Sequence, residues 1–323
     1  MEAKNDASKP AWPTNTAKAV ATLRGHGDSI LSMAFAADRS LLASASKDAK
    51  ARLWEVGAAA RERSILDTRG DQFSSLAFSP NGRMLAAGSA ALNGFVRLID
   101  VSDKAAKEVA VLKGGRGTVH AVAFSPDGKS VAGAGEDRTL RVWDVGSSKG
   151  EPRTQLAGHT KTIRALAFAP DGQGIATASQ DATVRLWSLS RIRSSERASL
   201  PHKTEVNHVA WSADGKTVAT LAQDGVIRFW DPTAMKPTPR NEFNTQLGSI
   251  RAFLISPDSR TMVTVTDGPR VMNWDLATGQ PLGEWKVEAG PVTAVTLTPD
   301  GRYLAAGAVD GTVTIFRVAE KRA

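Results

Sequence analysis

The chain has 323 residues, 41% of them hydrophobic and 23% charged, with a formal net charge of +8 and no cysteine. The missing cysteine excludes disulfides and thiolate metal sites, and the balance of apolar and charged residues is that of a soluble globular protein. No apolar run approaches the roughly 20 residues of a membrane helix, and Met1-Glu2-Ala3-Lys4-Asn5-Asp6 lacks the apolar core of a secretory signal, so a cytoplasmic protein without membrane contact is expected.

Residues 1–17, which include Pro10 and Pro13, read as a flexible tail, and Lys18-Ala19-Val20-Ala21-Thr22-Leu23 reads as a strand. Beyond it, strand-like segments end at Trp54, Ile99, Trp143, Trp187, Trp230, Trp274 and Phe316, at intervals of 45, 44, 44, 43, 44 and 42 residues. An apolar anchor precedes each end: Phe35, Phe78, Phe124, Phe168, Trp211, Ile255 and Leu297, at a distance of 19 residues in every copy but the second, where it is 21. Between anchor and end lies a tight turn, as in Ser125-Pro126-Asp127-Gly128, repeated at Asn81-Gly82, Asp171-Gly172, Asp214-Gly215 and Asp300-Gly301, with Asp38-Arg39 and Asp258-Ser259 as weaker forms. Asp-Gly and Asn-Gly favour the positive-φ corners that close hairpins. Segments such as Thr139-Leu140-Arg141-Val142-Trp143 carry bulky residues on both faces, so both faces must be covered. A period of this length suits four short strands plus turns.

Gly25-His26, Gly158-His159, Trp143-Asp144, Trp230-Asp231 and Trp274-Asp275 resemble the signature of WD-repeat β-propellers, over roughly residues 18–321. Four copies depart from it, with Trp54-Glu55, Ile99-Asp100, Trp187-Ser188 and Phe316-Arg317. The resemblance implies an all-β, seven-bladed propeller of four-stranded blades. The N-terminal strand would close the ring against residues 312–318.

His, Ser or Thr, and Asp recur together, which suggests nucleophilic catalysis at first sight. The sets are His26, Ser44, Asp48, Trp54; His159, Thr177, Asp181, Trp187; and His202, Thr220, Asp224, Trp230, with identical spacings of 18, 4 and 6 residues. A catalytic constellation occurs once, whereas these occur in three blades. They resemble the family's structural tetrad, in which imidazole, carboxylate, hydroxyl and indole form one hydrogen-bonded chain. The His position holds Arg69, Gly115, Gln246 and Glu288 in copies two, three, six and seven, and those blades are expected to depend on apolar packing. Gly128-Lys129-Ser130 and Gly215-Lys216-Thr217 lack the earlier glycine and the following helix of a phosphate loop. With no ligand-spaced cluster either, no catalytic residue, metal or cofactor is expected.

Much of the positive charge belongs to the repeat: Arg52, Arg97, Arg141, Arg185 and Arg228 all stand two positions before the tryptophan place. Arg191, Arg193, Arg197 and Lys203, set against Glu196, fall on the rim. In the resembling family, partners bind one face around the central channel, through the third and fifth residues after the repeat histidine and the residue before the turn aspartate. Carried over, these are Ser29, Leu31, Lys47; Gln72, Ser74, Leu92; Thr118, His120, Glu136; Thr162, Arg164, Gln180; Glu205, Asn207, Gln223; Ser249, Arg251, Thr266; and Pro291, Thr293, Val309. Two extra residues near Ala90–Asn93 should make that loop protrude, and Asp267 comes one place early. The set contains no aromatic anchor, so its strongest candidates are Arg164 and Arg251. The expected function is a non-catalytic scaffold, monomeric by itself, that binds a protein or peptide. The alternative is a basic propeller that meets nucleic acid or an acidic partner through its rim.

Overall fold

The structure is a computed structural model; it describes residues 18–38, 40–57, 60–147, 149–234, 237–244, 250–256, 258–266, 268, 270–286 and 290–317. The expected tail at 1–17, the end of the expected domain at 318–321, and the positions of Arg39, Gln246, Ser249, Asp267 and Glu288 lie outside them. Among the described residues no helix is long and apolar enough to cross a membrane.

Twenty-eight strands form seven antiparallel four-stranded sheets, so the protein is a seven-bladed β-propeller. Blades 1 to 7 start with the inner strands Ile30–Phe35, Phe73–Phe78, Ala121–Phe124, Ile163–Phe168, Val206–Trp211, Ile250–Ile255 and Val292–Leu297. Each inner strand packs on the next, and Ile30–Phe35 also packs on Val292–Leu297, which closes the circle. Small hydroxyls tie these strands together: Leu76 N–H donates to Ser32 Oγ (2.9 Å) and Val122 N–H to Ser75 Oγ (3.0 Å).

The second and third strands are buried on both faces, as in Leu41–Ser46 and Thr139–Asp144, because neighbouring blades press on them from each side. That pressure explains the small residues there. A Cβ at Gly307 would lie 2.7 Å from Ile30 Cβ, at the joint between blades 7 and 1. The buried apolar residues fall into seven clusters, one per joint. Leu53, Phe73 and Leu85 fill the joint of blades 1 and 2, whereas Ile30, Trp54, Val313 and Ile315 fill that of blades 7 and 1.

The hairpin corners follow the sequence signals. At Asp127-Gly128, Gly128 takes φ +70°, and Ser125 Oγ both donates to Asp127 Oδ1 (2.6 Å) and accepts from Ser130 N–H (2.9 Å). Ser259 adopts the same kind of corner at φ +56° without being glycine.

The seventh sheet has the order Lys18–Leu23, Val313–Arg317, Tyr303–Ala308, Val292–Leu297, so its outer strand comes from the start of the chain. Lys18 lies opposite Arg317 and Leu23 opposite Val313. Without that strand, Val313–Arg317 is a bare edge, open to pairing with other chains. The buried side chain of Leu23 alone is worth roughly 1.5–3 kcal/mol. Deletion of residues 1–23 is expected to lower the melting temperature and produce aggregates in light scattering. A monomer with an unchanged melt would contradict this closure.

Candidate functional site

Two of the three His-Ser/Thr-Asp-Trp sets form continuous chains. His26 Nδ1–H donates to Asp48 Oδ2 (3.0 Å), Ser44 Oγ–H donates to His26 Nε2 (2.8 Å), and Trp54 Nε1–H donates to Ser44 Oγ (2.7 Å). The fourth blade matches it, with His159 to Asp181 at 2.8 Å, Thr177 to His159 at 2.8 Å and Trp187 to Thr177 at 2.8 Å. A neutral imidazole protonated on Nδ1 satisfies every member of such a chain. Burial, outweighing the neighbouring carboxylates, holds both histidines below their ordinary value of 6.5. Burial alone would raise Asp48, but the Gly27 N–H, the His26 ring and the Lys50 N–H hold it low. The Ser44 and Thr177 hydroxyls are fully buried and consumed in these bonds, so they do not face a substrate.

The glycine before each histidine allows this approach. A Cβ at Gly158 would lie 2.9 Å from the Arg185 guanidinium and 3.0 Å from the Trp187 ring. The fifth blade has Pro201 at that place, and there the expected chain does not close. His202 Nδ1–H donates to Leu200 O (3.0 Å), while Asp224 accepts from Arg228 Nη2–H (2.8 Å). The hydroxyl half survives, with Thr220 to His202 at 2.8 Å and Trp230 to Thr220 at 2.9 Å. The set His202, Thr220, Asp224, Trp230 is therefore corrected to a triad plus a separate Asp224–Arg228 ion pair. With no carboxylate on its ring, buried His202 drops to about 4.

A simpler rule was legible but overlooked: a hydroxyl ten residues before a tryptophan accepts its indole N–H. Blade 6 follows it without a histidine, Trp274 Nε1–H donating to Thr264 Oγ1 (2.8 Å). In blade 3 the position is Gly133, and Trp143 Nε1–H turns to Lys113 O (3.1 Å). Where Ile99 and Phe316 replace tryptophan, the places equivalent by strand register, opposite Arg97 and Thr314, hold Ala87 and Ala306.

The face positions converge through one recurring backbone bond between the turn after the second strand and the approach to the inner strand. Lys47 N–H donates to Ser29 O (2.9 Å), Glu136 to Thr118 (3.0 Å), Gln180 to Thr162 (3.0 Å), Gln223 to Glu205 (2.8 Å) and Val309 to Pro291 (3.1 Å). In blade 2 the bond runs from Ala90 to Gln72 (2.8 Å), so Ala90, not Leu92, holds the register place. The two extra residues extend the turn, and Leu92 stands 87% exposed at its tip. In blade 6, Thr266 lies opposite Ile250 as Ser46 lies opposite Ile30. Thr266 is thus one residue short of the face place.

Six inner strands carry a register shift at the fifth-residue position, which leaves Leu31, Ser74, Arg164, Asn207, Arg251 and Thr293 outside the ladder. His120 just precedes the remaining inner strand, Ala121–Phe124 of blade 3. A bulge frees a side chain from the pleat and re-aims it. The sequence pattern carried no sign of these bulges beyond family register. Around them the chemistry is polar and mixed in sign: Arg164 Nη1 lies 3.4 Å from His120 Nε2, His120 Nε2 lies 3.9 Å from Glu136 Oε1, and Gln180 Nε2–H donates to Glu205 Oε2 (3.1 Å). Burial first, then the Arg164 charge, lowers His120 against the pull of Glu136. Burial likewise takes His208 to about 4, with the Arg251 charge adding to it. Lys47, Glu136, Gln223 and Arg251 are exposed; Gln180, Glu205, Asn207, His120 and Arg164 are half-buried. Among the described residues no group of three His, Cys, Asp or Glu could hold a metal ion.

Two outcomes follow from these joints. Asp181→Ala orphans His159 and is expected to cost on the order of 3–5 kcal/mol in urea denaturation. Asp224→Ala should cost clearly less, because Arg228 keeps Glu242 (3.1 Å) and His202 never used Asp224; equal losses would contradict the distinction. The second outcome concerns pH. The unfolded chain protonates His202 and His208 near 6.5 and the folded chain near 4, so the unfolded state binds more protons within that window. Stability is full above 6.5 and falls toward 4, by roughly 3 kcal/mol per histidine at the acid end. Replacing both with Gln should flatten the melting temperature between pH 6.5 and 4; an undiminished slope would refute the assignment.

The sequence matches the WD domain, G-beta repeat family over residues 17–55, 64–100, 106–144, 150–188, 194–231 and 279–317, well over half of the chain. Among curated relatives, it is 30% identical over 146 residues to periodic tryptophan protein 2 of Arabidopsis thaliana, covering 45% of this chain and 16% of that protein. It is 34% identical over 105 residues to the target of rapamycin complex subunit wat1 of Schizosaccharomyces pombe, 32% of each chain. It is 32% identical over 143 residues to eukaryotic translation initiation factor 3 subunit I of Culex quinquefasciatus, 41% of this chain and 42% of that protein. The chain thus spans less than half of the length of each relative. Seven blades, their hydrogen-bonded joints and six matched repeats place the chain in the WD-repeat family.

Proposed function

We propose that the chain is a non-catalytic interaction scaffold, cytoplasmic and monomeric by itself, that binds a protein or peptide on the face around the central axis. The observation that carries this reading is the ring of inner-strand bulges. They release Arg164, Asn207 and Arg251 from the sheet at the end where Lys47, Glu136, Gln180, Glu205 and Gln223 also gather. The names of two relatives, a target of rapamycin complex subunit and a translation initiation factor subunit, are those of members of assemblies, which supports the same reading.

The face offers guanidinium groups and amides but no aromatic ring, so its partner is expected to present carboxylates and backbone carbonyls. Arg164 lies beside His120, which in turn lies near Glu136, and such pre-organisation lowers the entropy lost on binding. The hydroxyls that suggested catalysis are spent in the joints, which favours binding over chemistry.

The test is quantitative. Partners recovered on immobilised protein are titrated against the wild type and against Arg164→Ala/Arg251→Ala. The double variant is expected to bind at least about tenfold more weakly with an unchanged melt. Unaltered affinity would move the binding surface elsewhere.

A further inference from the structure

The connection between the third and outer strands of blade 4, residues 189–194, has lost an acid that its counterparts keep. In blade 3 the carboxylate after the tryptophan, Asp144, holds Arg153 (3.0 Å); in blade 5, Asp231 holds Arg240; in blade 1, Glu55 holds Arg61 (2.7 Å). Blade 4 has Ser188 at that place. Arg197 is the register equivalent of Arg240. Trp187 lies opposite Glu196 and Leu186 opposite Ala198, just as Trp230 lies opposite Pro239 and Phe229 opposite Asn241, so each arginine is the extra residue of the same bulge. The nearby acid Glu196 is already engaged by Arg185. Among the described residues the side chains of Arg191, Arg193 and Arg197 make no ion pair, and all three are exposed.

The loop is nonetheless built. Ser190 N–H donates to Ser194 Oγ (3.2 Å), Ser194 Oγ–H donates to Ser190 O (3.1 Å), and Ile192 N–H donates to Ser190 Oγ (3.2 Å). At its base Leu189 N–H donates to Gln173 O (2.7 Å). These bonds present Arg191, Ile192 and Arg193 at an apex where Ile192 is 98% exposed. A groove of about 520 Å³ on one side is lined by Arg191, Lys129 and Arg153 together with Asp127, Asp144 and Asp171. Another of about 500 Å³ is lined by Arg197, Trp211 and Pro232 together with Asp171 and Asp214.

We infer that this loop forms a second docking surface, independent of the axial face, for an acidic protein segment that carries an aliphatic side chain. Three exposed guanidinium groups that make no ion pair among the described residues match carboxylates, which they bind in bidentate geometry. A bare isoleucine between them gains by covering an aliphatic group. Single-stranded nucleic acid fits less well, since bases require exposed aromatic faces to stack on and the apex offers none.

The test uses the full chain and three labelled probes: a peptide of glutamates flanking one leucine, oligothymidylate, and phosphatidylserine vesicles. The peptide is expected to bind in a salt-dependent manner. Ser188→Asp, which restores the carboxylate of blades 3 and 5 and removes no basic residue, should weaken it about tenfold with the melt unchanged. Ile192→Ser should weaken it several-fold. Peptide affinity that Ser188→Asp leaves intact overturns the inference, and so does tighter binding of oligothymidylate or vesicles than of the peptide. Because Arg164 and Arg251 are untouched, these outcomes are separable from the fate of the axial face.

Discussion

The structure depends on the joint between neighbouring blades. A four-stranded sheet buried on both faces cannot stand alone, and each blade here takes half of its core from the blade before it and half from the blade after. Seven such joints close only if the last meets the first. The strand Lys18–Leu23 therefore does more than extend a sheet: it completes blade 7, whose inner and second strands cover Ile30 and Trp54 of blade 1. The small residues of the second strands and the lack of room for even one methyl at Gly307 follow from the same close approach.

Polar joints are laid over the apolar ones, and they show how few groups are exchanged between a complete chain and a broken one. In blades 1 and 4 a glycine lets the polypeptide pass over the tryptophan and the arginine, and the histidine reaches its aspartate. Pro201 denies blade 5 that path, so Arg228 takes Asp224 and the histidine falls back on its own strand. The competition is between a neutral imidazole donor and a permanent cation for one carboxylate, and charge-assisted bonds win where geometry permits. The indole–hydroxyl pair persists in all three because both groups sit on adjacent strands of the same sheet, indifferent to the incoming connection.

The net positive charge divides by the same logic. Repeat-borne arginines such as Arg97 and Arg141 are answered by acids of their own blade, Asp71 and Glu108 for the first, Asp137 for the second, and they leave little field at the surface. Ser188 breaks that balance at one place on the rim. The axial face sets His120 beside Glu136 and Gln180 beside Glu205 and is built for polar contact, whereas the exposed arginines of the rim loop make no ion pair among the described residues.

The blade count, the hairpin corners and the tetrad candidates were legible in the amino-acid sequence, because each rests on local spacing: a turn every repeat, a hydroxyl ten residues before an indole, an anchor 19 before the end. Even the fifth blade announced its difference as a proline where glycine was due. Tertiary structure alone decided that Arg228 and not His202 takes Asp224, that Ala90 and not Leu92 holds the face register, where the inner strands bulge, and which arginines go unanswered. These outcomes turn on groups near and far along the chain competing for the same partner. Such contests are settled by ångström-scale distances that a linear pattern does not contain.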